Sequence, residues 1–138
     1  MQLVLVRHAE AAPGQPDELR PLTPAGREQA RLLGARLRDE GVRAGVVLTS
    51  PLLRARETGR LIAHELGADV AIAEELAPGA TPEAVRRALR DAPAGTDEAV
   101  VAVGHQPDCS RIAAALTGGP ERPFPPAGSV AIRLERSA

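Results

Sequence analysis

Three short apolar runs recur along this chain, and each stops abruptly at polar residues. Leu3 to Val6 precedes Arg7-His8, Gly45 to Thr49 precedes Ser50, and Ala99 to Val103 precedes Gly104-His105. A strand with one face in water alternates apolar and polar residues, so an unbroken apolar run implies a strand buried on both faces. The segments between the runs carry helical spacing instead. Thr23 supplies an N-cap with Pro24 at the first helical position, Ala30, Leu33 and Leu37 share one face, and Gly41 closes the element. Ser50-Pro51 is expected to start a second helix with the stripe Ala55, Thr58, Ile62 and Leu66, ended by Gly67. Thr81-Pro82 caps a shorter helix running to about Asp91, and Pro107 opens a fourth with Cys109, Ile112, Ala113 and Leu116 on one side. A weaker strand is expected over Val70 to Ala73, leading through Glu74-Glu75-Leu76 into a loop. Val130, Ile132 and Leu134 alternate with Ala131, Arg133 and Glu135, the period of a half-buried edge strand.

Strands alternating with helices predict an α/β fold, a three-layer α/β/α sandwich around a mostly parallel central sheet. At 138 residues the chain is expected to form one domain spanning 1–138. In such sheets ligands bind beyond the carboxyl ends of the strands. Arg7-His8, Ser50 with Arg54, Glu74-Glu75 and Gly104-His105 each follow directly on an expected strand, so they should converge on one edge.

Composition narrows what that edge can recognise. With 17 basic and 18 acidic residues interspersed, the net charge is −1, which argues against nucleic acid or an anionic membrane as a partner. Aromatic residues amount to 1%, Phe124 alone, so base stacking is excluded. No apolar stretch is long enough to cross a bilayer, the first residues lack the basic start of a signal peptide, and Cys109 has no partner for a disulfide. A cytoplasmic location is expected. Cys109 reads as core, His64 as surface, and Arg86, Arg87 and Arg90 as a solvated helix face.

Two arginines and two histidines at one edge suit a doubly charged tetrahedral anion, and phosphate fits best. A guanidinium clamps phosphoryl oxygens bidentately, and the helix N-terminus after His105 would add backbone N–H groups. A neutral imidazole beside such a clamp is a plausible nucleophile, because the arginines disfavour a further positive charge on it.

Arg7-His8-Ala9-Glu10, Leu22-Thr23-Pro24-Ala25-Gly26, Ser50-Pro51-Leu52-Leu53-Arg54-Ala55-Arg56-Glu57-Thr58 and Gly104-His105 resemble, in order and spacing, the histidine phosphatase superfamily, whose fold is phosphoglycerate mutase-like. The short length and the Arg20-Pro21-Leu22-Thr23 wording are most similar to its SixA-type phosphohistidine phosphatases. The resemblance implies that His8 is the phosphorylated nucleophile, that Arg7 and Arg54 hold the phosphoryl group, and that His105 binds it and stabilises the transition state. It implies no metal and no cofactor. Ala9 stands where larger members carry glycine, and the long insertion that brings those members an acidic proton donor after the third strand is missing. Glu75 is the nearest candidate by position for that acid.

Three functions stay open on the residues themselves. One is hydrolysis of phosphohistidine on a protein or of a small phosphomonoester, and another is a phospho-ligand binding module without turnover. A metallohydrolase built on His8 and His105 is disfavoured, because the close ligand pairs such an enzyme uses are missing. Oligomeric state is not legible.

Overall fold

The apolar runs do become strands. In the computed structural model, which describes residues 1–134, the strands are β1 (Gln2–Arg7), β2 (Ala44–Thr49), β3 (Asp69–Ile72), β4 (Ala99–Gly104) and β5 (Ser129–Arg133). They form one sheet in the order β3-β2-β4-β1-β5, parallel except for β5, which runs antiparallel to β1 at the edge. The expected third strand sits one residue earlier than its apolar pattern suggested. The last alternating position, Glu135, lies outside the described residues.

Four helices complete the layers: α1 (Pro24–Asp39), α2 (Leu53–Leu66), α3 (Pro82–Asp91) and α4 (Asp108–Thr117). Successive side chains of one strand point to opposite faces, and here each face meets a different helix pair. Leu3, Leu5, Val100 and Ala102 pack with Val85 and Leu89 of α3 and with Cys109 and Ile112 of α4. Val4, Val6, Val101 and Val103 pack with Leu33 and Leu37 of α1 and with Ala55 and Ile62 of α2. The unbroken runs are thus two interleaved cores. Each fully buried Val or Leu contributes about 1.5–3 kcal/mol, so both faces weigh in the stability of every strand.

Thr23 caps α1, accepting the Gly26 N–H at 2.9 Å, and Thr81 caps α3 in the same way from Ala84. The second helix departs from expectation. It begins at Leu53 and not at Ser50-Pro51, with Leu52 as its uncapped N-terminal neighbour. Ser50 does accept the Leu52 N–H at 3.2 Å, but its hydroxyl is held by a partner from another strand, described below.

Two glycines allow the close approaches that shape the site. A Cβ on Gly26 would lie 2.1 Å from the Glu10 carbonyl oxygen, so only glycine lets α1 seat against the chain just after His8. A Cβ on Gly59 would meet the Thr49 side chain at 2.3 Å, and its absence lets α2 lie directly on β2.

Candidate active site

Arg7 is the last residue of β1 and His8 follows it, tied to the neighbouring strand end by its N–H donating to the Gly104 carbonyl at 3.0 Å. His105 follows β4, so the two rings come together across adjacent strands. Their centroids are 5.2 Å apart and their planes tilted by 59°. Arg54, in the first turn of α2, reaches the same place. Arg7, His8, Arg54 and His105 all line one cavity of about 400 Å³, with Glu10, Arg20 and Gln106 among its other walls. The expected convergence at the carboxyl edge holds for Arg7, His8, Arg54 and His105, whereas Ser50 and the Glu74-Glu75 pair are not among the cavity's lining residues.

Partners fix the state of each ring. His8 Nδ1 lies 2.7 Å from the Ala9 carbonyl oxygen, which can only accept, so Nδ1 carries the proton and Nε2 is left with a bare lone pair. Burial, with help from Arg54, Arg7 and Arg20, lowers the His8 pKa to about 4. The ring is neutral at neutral pH. Burial also lowers His105 to about 3, assisted by His8 and Arg54. Its Nε2 is 2.7 Å from the Ser50 hydroxyl.

Arg7 and Arg54 are partly engaged and partly idle. Arg7 donates from Nη1 to the Phe124 carbonyl at 2.9 Å. Arg54, only 6% exposed, donates from Nη1 to the Asp17 carbonyl at 3.0 Å and from Nη2 to the Asp17 carboxylate at 3.2 Å. Asp17 also accepts from Arg20 Nε at 2.9 Å. Those arginines, Arg20 first, hold its carboxyl below the usual range. Yet Arg7 Nε, Arg54 Nε and His105 Nδ1 are all buried with no hydrogen-bond partner. A fourth orphan, Thr49 Oγ1, belongs to the end of β2 and does not line the cavity. Buried polar groups are normally paired, so orphan nitrogens on three residues around one cavity mark where a water or ligand would supply the missing partner.

Several expectations are corrected. Two of the amides expected to serve an anion at the start of α4 have partners within the protein, the Cys109 N–H donating to the His105 carbonyl and the Ser110 N–H to Gln106 Oε1. Gln106 caps its own helix. Glu75 lies half-buried in the short 3-10 turn Glu74–Leu76 and is not among the cavity's lining residues, whereas Glu10 is. Ala9 is fully buried, its methyl packed with Leu22 and Ala30, which accounts for a side chain where larger relatives have glycine. Other expectations hold: Cys109 is buried as core with its thiol pushed up to about 12, and Arg86, Arg87, Arg90 and His64 are exposed.

Sequence reasoning missed the braces. Thr58 accepts the Ala9 N–H at 3.0 Å and donates to the Arg54 carbonyl at 2.8 Å, so one hydroxyl links the residue after His8 to the helix that carries Arg54. Glu57 accepts the Leu22 N–H at 2.7 Å and anchors the β1–α1 loop to α2. Both residues stand inside the Ser50-to-Thr58 motif, and their shared place there was the available signal.

The sequence pattern of the histidine phosphatase superfamily (branch 1) matches residues 3–78. An uncharacterised protein of Picosynechococcus is 38% identical over 123 residues, covering 86% of this chain and 74% of that protein. The mitochondrial serine/threonine-protein phosphatase Pgam5 of Drosophila willistoni is 40% identical over 70 residues, and this chain's match spans 24% of its length. Among solved structures, the protein histidine phosphatase SixA complexed with tungstate superposes with a TM-score of 0.86 at 28% identity, over 98% of this chain and 89% of that one. A mycobacterial glucosyl-3-phosphoglycerate phosphatase, at TM-score 0.71 and 18% identity over 94% and 88% of the two chains, shares the fold. These likenesses support a phosphatase. With the pattern spanning more than half of its length and the fold agreeing throughout, the chain belongs to the histidine phosphatase superfamily.

Proposed function

We propose that this protein hydrolyses phosphohistidine on another protein, through a covalent phosphohistidine on His8. The observation that carries the reading is the cavity's set of idle nitrogens: Arg7 Nε, Arg54 Nε and His105 Nδ1, gathered with the bare Nε2 of His8. A tetrahedral oxyanion held in that cavity would offer acceptors to these donors and phosphorus to the bare Nε2 of His8. Its likeness to SixA, solved with the tetrahedral oxyanion tungstate, supports the same reading.

In the first step the His8 Nε2 lone pair attacks phosphorus in line with the departing nitrogen. The P–N bond of the substrate breaks, and its electron pair goes to an imidazole already protonated on its other nitrogen, which leaves neutral. In the second step water attacks phosphorus, the P–Nε2 bond to His8 breaks, and inorganic phosphate departs with the water's oxygen. Arg7 and Arg54 balance the charge on the equatorial oxygens in both steps. The labile leaving group needs no dedicated acid, in keeping with a cavity that Glu75 does not enter. The cavity's rim residues Glu10, Pro78 and Pro126 are exposed, leaving room for a phosphorylated side chain presented by a partner.

A second reading, a small phosphomonoesterase, is favoured by one observation. Glu10 is among the cavity's lining residues, and an alkoxide leaving group, unlike imidazole, needs a proton donor. Rates on a phosphohistidine peptide, a phosphoserine peptide and a sugar phosphate, measured side by side, separate the two. The phosphohistidine peptide is expected to be fastest, and quenching with labelled substrate should trap an acid-labile, base-stable phosphoryl group on His8. A faster sugar phosphate replaces the first reading with the second, and an absent label removes the covalent mechanism.

A further inference from the structure

Ser50 lies just beyond β2, fully buried, and its hydroxyl has two neighbours: the Leu52 N–H at 3.2 Å and His105 Nε2 at 2.7 Å. A hydroxyl owns one hydrogen and two lone pairs. The Leu52 amide can only donate, so it occupies a lone pair. If His105 Nε2 also carried a proton and donated, the Ser50 hydrogen would be buried away from water with no acceptor. That is a costly arrangement. If Ser50 donates to a bare Nε2, the hydroxyl, the Leu52 amide and Nε2 are all satisfied, and the single proton of the neutral His105 ring must then sit on Nδ1. Nδ1 is the buried nitrogen that has no partner in the protein.

From this we infer that Ser50 is a positioning residue that fixes His105 in its Nδ1–H tautomer, so that His105 meets the phosphoryl group as a donor. The inference rests on the proposed phosphoryl-transfer reading of the cavity. It gives the two rings opposite characters by opposite means. A carbonyl acceptor, that of Ala9, holds the proton of His8 on Nδ1 and leaves Nε2 bare to attack. A hydroxyl donor occupies Nε2 of His105 and leaves an N–H to offer. With the other tautomer, His105 would turn a lone pair toward phosphoryl oxygens that are themselves acceptors.

The test reads the tautomer directly. In 15N-labelled protein the protonated and bare ring nitrogens resonate far apart, and long-range correlations assign each to His105. The wild-type protein at pH 7 is expected to carry the proton on Nδ1, with that signal moving when inorganic phosphate is added. Ser50→Ala should shift the proton population toward Nε2 and lower kcat/KM on phosphohistidine peptide about tenfold or more, as loss of an orienting partner commonly does. Ser50→Thr, which keeps the hydroxyl, should restore the Nδ1–H tautomer and most of the rate. A wild-type proton on Nε2 overturns the inference, and so does an Ser50→Ala ring that stays wholly Nδ1–H. The wild-type spectrum answers even if the alanine variant does not fold. If wild-type protein turns over no phosphorylated substrate, the functional reading falls while the spectrum still decides the role of Ser50.

Discussion

The two ends of the sheet carry cavities of comparable size and opposite chemistry. Beyond the carboxyl ends of β1, β2 and β4 lies the cavity of about 400 Å³ with Arg7, Arg20, Arg54, His8 and His105 in its walls. At the other end, a cavity of about 290 Å³ is lined by Arg43 and Arg133 but also by Asp97 and Glu98. There the polar groups answer one another: Glu98 accepts the Gly95 N–H at 2.6 Å, Arg43 accepts the Ala99 N–H through its carbonyl, and the N-terminal amine donates to the Leu134 carbonyl. None of the buried orphan atoms belongs to that lining. Arginines alone therefore do not mark a site. What separates the two ends is an excess of arginine over carboxylate together with donors the fold leaves unpaired.

The comparison breaks most readily at His8. His8→Ala should lower turnover at least about a thousandfold, a barrier increase of about 4 kcal/mol, and abolish the trapped phosphoryl label. Its thermal midpoint should barely move, because the side chain sits half-buried at a strand end and outside both main cores. Activity within about tenfold of wild type would place the chemistry elsewhere. Next in size is the clamp. Arg54→Lys keeps the charge but loses the fork that bonds Asp17 with two nitrogens and leaves Nε for the ligand, so kcat/KM should fall about a hundredfold. Near-normal kinetics would show that a point charge suffices.

Acid should act on the two ends differently, and the sign follows from the direction of the histidine shifts. The folded pKa of His8 is about 4 and that of His105 about 3, against about 6.5 for an unhindered imidazole. The unfolded chain therefore binds protons first as pH falls. The stability that rests on these neutral rings is fully present above about pH 6.5 and is lost progressively down to pH 4 and below. The His8 and His105 ring signals in nuclear magnetic resonance should stay those of neutral imidazole from pH 8 to pH 5. A midpoint between pH 6 and 7 for His8 would mean that the carboxyl-edge cavity is wetter, and its arginines less influential, than their burial indicates.

The order of elements and the meeting of Arg7, His8, Arg54 and His105 at one cavity were legible because they depend on local signals. Apolar runs ending in Arg-His or Gly-His, and Thr-Pro before a helical period, each state their own structure within a few residues. The rest depends on partners distant in sequence. Asp17 sits in a proline-containing loop that reads only as loop, yet it meets Arg54 37 residues away. Ser50 reads as a helix start because serine next to proline commonly is one, and the competing bond to His105 spans 55 residues. Thr58 reads as a helix-stripe position and Glu57 only as part of the Ser50-to-Thr58 motif, and their bonds to Ala9 and Leu22 again cross between elements. Capping and periodicity are properties of a segment. Which orphan donor meets which acceptor is a property of the packed whole.

The smallest expected effect sharpens the comparison from the silent end. Glu98→Ala removes the acceptor of the Gly95 N–H without touching the carboxyl edge. A hydrogen bond of this kind is worth about 0.5–1.5 kcal/mol net, and the pair is exposed, which favours the lower half of that range. For a domain of this size the thermal midpoint should then drop by roughly 2–4 °C. Turnover should not follow it, and kcat/KM should stay within about twofold of wild type at a temperature where both proteins are folded. Differential scanning calorimetry beside a rate assay on phosphohistidine peptide checks both halves. A kcat/KM loss greater than about fivefold at an unchanged midpoint would mean that the second cavity takes part in substrate recognition. Unpaired buried donors would then no longer be what distinguishes the working edge of the sheet from its opposite.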